Sequence, residues 1–224
     1  EAIVVNLVLL GPPGSGKGTQ AKALAERFGI AHISPGDMFR REVKAGTELG
    51  RLVETAMAKG ELVDDSVTIK LMEKSLSSKE CDSGFVLDGF PRNLAQAEAL
   101  DEILAKLGKR LDCAVNLEVT EEAILERARN RRVCSVCGAP YNLASHPPAV
   151  AGKCDRCGGE LVARADDAEE TVIERCRVYH KYSEPLVEYY ANKGELVTVD
   201  GCRPPAEVTS AVVSAVLKRQ AVKP

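Results

Sequence analysis

Residues 3–20 read IVVNLVLLGPPGSGKGTQ. The first eight are aliphatic except for Asn6, the composition of a strand buried on both faces of a parallel sheet. The stretch from Gly11 to Lys17 then spells G-x-x-x-x-G-K, and behind it Ala21, Leu24, Ala25 and Phe28 recur at helical spacing until Gly29 stops them. Strand, glycine loop and helix in that order make a phosphate cradle: backbone N–H groups and the helix N-terminus face an anion, and the lysine adds a charge. A surface turn with a chance lysine would lack the flanking strand and helix. The hydroxyl residue common directly after such a lysine is replaced by Gly18, with Thr19 one position later.

Working outward, the same alternation continues. Residues 30–34 read as a short strand, and residues 37–59 as helical segments with Thr47 as an N-cap and Gly60 as a stop. Asp64 and Asp65 open a further helix, GFVLD at 84–88 is a buried strand, 93–108 a helix and 113–119 a strand. Thr120 caps an amphipathic helix bearing Ile124, Leu125 and Ala128. Helical periodicity resumes over 169–190, followed by a strand at 195–200 and a helix at 205–218. Five strands alternating with helices predict a doubly wound α/β domain built on a five-stranded parallel sheet, with ligands at the strand C-termini. Residues 131–164, rich in Cys, Gly and Pro, show neither period and are expected to be an inserted lobe outside the sheet.

The bulk composition agrees with one compact domain carrying small insertions. The 224 residues are 45% apolar and 28% charged, and the formal charge of −3 exerts no overall pull on nucleic acid or anionic lipid. No apolar run approaches the roughly 20 residues that span a bilayer, and the N-terminal run ends in the glycine loop rather than a cleavage site. The expectation is a cytoplasmic protein, monomeric by default, with neither nucleic acid nor membrane as a partner.

Two motifs sharpen the function. LDGFPRN at 87–93 ends a strand with Asp88, where a carboxylate can hold waters of a magnesium ion instead of merely shaping a turn. Together with the GKGT loop, SPGDMFR at 34–40, ELV at 61–63, GFPRNLAQ at 89–96, RARNRRVC at 127–134, RADD at 164–167 and EETVIERC at 169–176, it gives an ordered match from residue 3 to about 210. The chain resembles the adenylate kinases of the long-lid type, within the nucleoside monophosphate kinases.

That resemblance implies a core of residues 1–33, 64–130 and 165–224, an AMP-binding flap of 34–63, and a lid of 131–164 that closes over ATP. The expected reaction is Mg2+-dependent transfer from ATP to AMP, giving two ADP. Gly14, Ser15, Gly16, Lys17, Gly18 and Thr19 would hold the donor phosphates, with Arg127, Pro140, Tyr141 and Arg203 near the donor base. Pro35, Arg40, Glu61, Leu62, Val63, Gly89, Phe90 and Pro91 would form the AMP site, with Gln96 reading adenine. Lys17, Arg92, Arg131, Arg164 and Arg175 would surround the transferring group, with Asp37 and Asp88 on magnesium waters. Arg127 and Arg131, four apart, are expected on one helix and facing the same side. One departure stands out: the family usually has threonine where this chain has Pro35, which lacks a hydroxyl and an N–H, and this bears on AMP affinity and acceptor choice. A phosphate acceptor needs no general base, so His32, His146 and His180 are expected to be structural or surface residues.

Cys134, Cys137, Cys154 and Cys157 form C-x2-C-x16-C-x2-C, with glycine after each second cysteine. That is the spacing of two knuckles closing one tetrahedral thiolate site, best suited to structural Zn2+ with no open position, although iron and cobalt share the ligand softness. Cys81, Cys113, Cys176 and Cys202 are scattered singly and expected to be inert. A zinc ribbon alone would point to a nucleic-acid binder, against which stand the charge and the absence of basic-aromatic interleaving. The nearer rival is a sister kinase using GTP or accepting a pyrimidine monophosphate.

Overall fold

The computed structural model describes residues 4–222; Ile3, where the first strand was expected to begin, and the remaining ends of the expected core lie outside the described residues. The first strand, β1 (Val5–Leu10), is wholly buried and lies at the centre of a parallel sheet of order β2-β3-β1-β4-β8, with β2 (Ala31–Ile33), β3 (Gly84–Asp88), β4 (Cys113–Glu118) and β8 (Leu196–Asp200). Alternation divides β1 between two cores. Val8 and Leu10 join Phe85, Leu87 and Ala114 on one face, while Leu7 and Leu9 join Val86, Val115 and Leu117 on the other.

The first face is covered by α4 (Asp65–Leu76), α5 (Leu94–Lys106) and α8 (Pro185–Asn192), through Met72, Leu76, Leu100, Leu104, Leu186 and Tyr190. The second is covered by α1 (Lys17–Phe28) and α9 (Pro205–Val222), through Ala21, Leu24, Val208, Val212 and Val216. Connections leave β1 toward β2 on one side, and β4 and β8 lie on the other, so the strand order reverses beside β1. In such sheets the ligand crevice opens at the C-terminal ends beside the reversal.

The predicted 37–59 segment is two helices, α2 (Pro35–Ala45) and α3 (Glu48–Lys59). Ser34 caps the first, Pro35 occupies a first-turn position, and the Thr47 side chain accepts from the Gly50 N–H. They pack closely because Gly50 has no side chain: a Cβ there would lie 2.3 Å from the Glu42 carbonyl oxygen. The helix expected over 169–190 is interrupted. It consists of α7 (Glu169–Val178), a π turn at Tyr179–Ser183, and α8 with Pro185 in its first turn, where the missing N–H requires no partner.

The inserted lobe lies outside the main sheet as expected, but it has a small sheet of its own: β5 (Arg131–Cys134) at the centre, antiparallel to β6 (Pro140–Asn142) and β7 (Leu161–Val162). Strands of four, three and two residues are too short to show an alternation. Arg131 is also corrected: α6 (Glu121–Asn130) ends before it, so Arg127 is on the helix and Arg131 opens β5.

Candidate active site and metal centre

A cleft of about 1800 Å³ opens at the C-terminal end of β1 and is lined by the glycine loop, α1, α2, the end of β3, the inserted lobe and the segment after β8. This exceeds the roughly 300–1,000 Å³ of a pocket for one small ligand. Its floor is the glycine loop. Gly11, Gly14 and Gly16 have φ of 136°, 81° and 99°, which other residues rarely adopt, and a Cβ at Gly11 would meet the Leu117 carbonyl at 2.7 Å. Gly18, in the first turn of α1, faces Asp88: a Cβ there would be 3.3 Å from the carboxylate, so a side chain at this position would crowd that group.

Lys17 Nζ donates to the carbonyls of Gly11 (2.7 Å) and Pro12 (2.8 Å). Burial pushes its pKa down to about 7, with Asp88 opposing and Arg92, Arg175 and Arg131 reinforcing the shift. Asp88 ends β3 beside the loop, where β1 residue Leu9 pairs with it. Burial disfavours its charged form, yet His32 and Lys17 together hold its pKa below the ordinary value. His32 is therefore a cleft residue, its Nε2 3.6 Å from Asp88 Oδ2, and not simply a surface group.

Four arginines converge on two aspartates at the end of the inserted lobe. Arg164 grips Asp166 bidentately (3.0 and 3.0 Å), Arg175 donates to Asp166 Oδ2 at 3.0 Å, and Arg40 lies 3.7 Å from the same oxygen. This cage holds Asp166 down at about 2 against the opposing effect of burial, while burial pushes Arg175 down to about 10. Arg131 makes a bidentate pair with Asp167, its Nε donating at 2.7 Å. Arg40 is also paired with Asp37 at 2.5 Å. Arg92 is anchored by its Nε to the Gly89 carbonyl (2.8 Å) and lies between Asp88 and the arginines. Six cations (Lys17, Arg40, Arg92, Arg131, Arg164, Arg175) thus face four carboxylates (Asp37, Asp88, Asp166, Asp167). The excess of positive charge suits polyanionic phosphates. Asp166 and Asp167 belonged to a motif quoted from the sequence, but only its arginine was read.

Toward the opposite end, Arg127 bridges the loop and the last strand, donating to the carbonyls of Ser15 (3.2 Å) and Gly201 (2.7 Å). Arg203, Pro140 and Tyr141 also line this end, Arg203 being exposed and 3.3 Å from Asp200. A smaller adjoining pocket is bounded by Pro35, Glu61, Leu62, Val63 and Gln96. One expectation needs correction in detail. Phe90 is fully buried in the core, so its side chain faces no ligand. The Gln96 amide is held by one bond at each end, Oε1 accepting from the Arg92 N–H (2.8 Å) and Nε2 donating to Asp65 (2.6 Å), which leaves a second Nε2 hydrogen and a second Oε1 lone pair for a base. Pro35 sits comfortably at a helix position whose N–H has no intrahelical partner.

Cys134, Cys137, Cys154 and Cys157 bring their sulfurs within 4.8 Å of one another, and among the described residues they form the one such cluster. Two of the separations are 3.4 Å (Cys134 to Cys157) and 3.6 Å (Cys137 to Cys154). Four thiolates about 2.3 Å from a tetrahedral zinc lie about 3.8 Å apart, so the donor set fits the metal. A backbone N–H bond favours thiolate at Cys134 and the Tyr141 hydroxyl does so at Cys154, holding it down to about 6, whereas the neighbouring sulfurs push Cys157 up to about 12. No helix among the described residues is long and apolar enough to cross a membrane.

Comparison with known proteins agrees with this geometry. The adenylate kinase family model matches residues 9–195. An adenylate kinase of Archaeoglobus fulgidus is 54% identical over 199 residues, 89% of this chain and 92% of its own. One of Acetivibrio thermocellus is 49% identical over 211 residues (94% and 97%), and one of Thermosipho melanesiensis 53% over 197 (88% and 92%). With a phosphate loop under a basic cluster and a match of this length, the chain belongs to the adenylate kinase family and is a phosphotransferase.

Proposed function

We propose that the chain catalyses reversible, magnesium-dependent transfer of the terminal phosphoryl group of ATP to AMP, giving two ADP, and so maintains the balance of adenine nucleotides. The observation that carries this reading is the convergence of six cations over a phosphate loop, in a cleft with room for two nucleotides. The residues divide into a core (1–33, 64–130 and 165–224), an acceptor flap (34–63) and a lid (131–164). The protein would act as a cytoplasmic monomer on nucleotides alone.

Phosphoryl transfer requires positioning and charge neutralisation more than covalent help. Gly14 to Thr19 would cradle the donor phosphates through backbone N–H groups, with Lys17 turning from the Gly11 and Pro12 carbonyls to the phosphates. Arg40 and Arg92 would hold the acceptor phosphate. Arg131, Arg164 and Arg175 would exchange their aspartate bonds for the oxygens of the group in flight, which is why Asp166 and Asp167 already hold them in a cluster. Asp88 and Asp37, both lining the cleft, would hold the waters of a magnesium ion, which when bound neutralises donor phosphate charge. Closure of the lobes excludes water, which would otherwise compete as acceptor. Cys134, Cys137, Cys154 and Cys157 would hold zinc, which would supply a cross-link with no position open for chemistry.

The test is a coupled assay for ADP from Mg-ATP, with AMP, CMP, UMP and GMP as acceptors and GTP as an alternative donor. Turnover confined to ATP and AMP, and lost in Lys17→Met by at least about 100-fold, is the expected outcome. Another acceptor, or normal turnover without the lysine, would overturn it.

A further inference from the structure

Tyr141, expected near the donor base, lines the cleft and is also bonded within the lobe. Its hydroxyl donates to Cys154 Sγ (3.4 Å) and accepts from the Asp155 N–H (2.8 Å). Its ring is buried in the lobe's small core with Cys134, Ala139 and Cys154. On the other side, the ring is stacked with His146, centroids 5.9 Å apart and planes 14° from parallel.

His146 is exposed and lines the cleft. Its backbone exchanges two hydrogen bonds with Asn142 (2.8 and 3.3 Å), and the Asn142 side chain accepts from the N–H groups of Ala144 and Ser145 at 3.0 Å, so the loop carrying the imidazole is fixed. Asn142 also reaches the Arg127 carbonyl at 3.5 Å, which places this loop beside the end of the cleft assigned to the donor base. A planar ring with one face covered and one face open offers a stacking surface to a purine.

We propose that Tyr141 is a positioning residue that ties the four-thiolate cage to the donor end of the cleft: its hydroxyl braces Cys154, and its ring sets the plane of His146, which presents its free face to the donor base. A partner of this kind orients a metal ligand and slows its loss, while the stack transmits that rigidity to the nucleotide. The base-facing half rests on the donor site proposed above; the metal-facing half does not.

Two arms separate them. For the metal, zinc-loaded Tyr141→Phe, which keeps the ring and deletes the hydroxyl, should lose zinc to a chromogenic chelator about tenfold faster than wild type. The cobalt-substituted variant should show a shifted sulfur-to-metal charge-transfer band. Wild-type release and an unshifted band would overturn that half, whatever reaction the protein performs. For the base, His146→Ala should raise the KM for ATP about fivefold while leaving the KM for AMP and the zinc release rate unaltered. His146→Phe should restore it. Tyr141→Leu should raise the ATP KM by a similar factor, with little added by combining it with His146→Ala, since both act through one stack. An unaltered ATP KM in His146→Ala, or fully multiplicative effects in the double variant, would overturn the base-facing half. Absence of ATP and AMP turnover in wild type would instead be a failure of the proposed reaction, and it would remove the donor base that this half requires.

Discussion

Asp166 is the residue on which the cluster turns. Without a counterion, Arg40, Arg164 and Arg175 would repel one another across a few ångströms; with it, all three point at one spot. Its pKa falls from 3.8 to about 2 on folding. A carboxyl depressed in this way adds stability above the unfolded value, and the contribution is lost as pH falls through the folded one. The shift corresponds to about 2 kcal/mol at neutral pH. Asp166→Asn mimics the protonated group, so its urea-unfolding free energy should lie about 2 kcal/mol below wild type at pH 7. The gap should shrink to about half at pH 3, to about 0.4 kcal/mol at pH 2, and vanish near pH 1. A gap independent of pH would mean that Asp166 acts through shape and not charge.

At the scale of elements, the inserted lobe shows what a metal in the four-thiolate cage would add. Its core is four buried residues, Cys134, Ala139, Tyr141 and Cys154, two of which are themselves thiol ligands. So small a core cannot offset the chain entropy of some thirty residues, whereas a zinc cross-link contributes on the order of 10–16 kcal/mol of apparent binding energy in isolated modules. Cys154→Ser should therefore lower the melting temperature and open residues 131–164 to limited proteolysis, with a smaller effect on turnover at 25 °C. The reverse order would place the metal in the chemistry. The elements themselves were unequally legible. Long, buried strands such as β1 and capped helices such as α6 announced themselves through apolar runs, Thr120 and periodicity. The lid strands did not, because pairing across a sheet, not local pattern, defines segments so short. The π turn before α8 was missed although Pro185 marked it. Among site residues, the loop and the cysteines were readable from spacing, whereas the arginines came with the family resemblance. The partners that fix them were not, since Asp65 on Gln96 and Tyr141 on Cys154 meet only in the fold.

Across the whole molecule, the flap and the inserted lobe already meet over the cleft. Lys44, near the end of α2, donates to the Ser135 carbonyl in the first cysteine knuckle (2.8 Å), and Arg40 of the same helix faces Asp166. On the proposed reaction, the two lobes would shut out water together, and this contact, which belongs to neither proposed site, would couple them. An exposed charged hydrogen bond of this kind contributes about 1 kcal/mol, lessened by solvent screening, which is about two- to fivefold in the closed population. If closure is shared, its weakening must appear in both substrates at once. Lys44→Met should thus raise the KM for ATP and for AMP together by about two- to fivefold, whereas damage confined to one subsite would raise only one. Turnover at saturation should hold or rise, because lobe opening and product release often limit such enzymes. Varying each nucleotide at several fixed levels of the other distinguishes the cases, and a change confined to AMP would reassign Lys44 to the acceptor site instead of the closure.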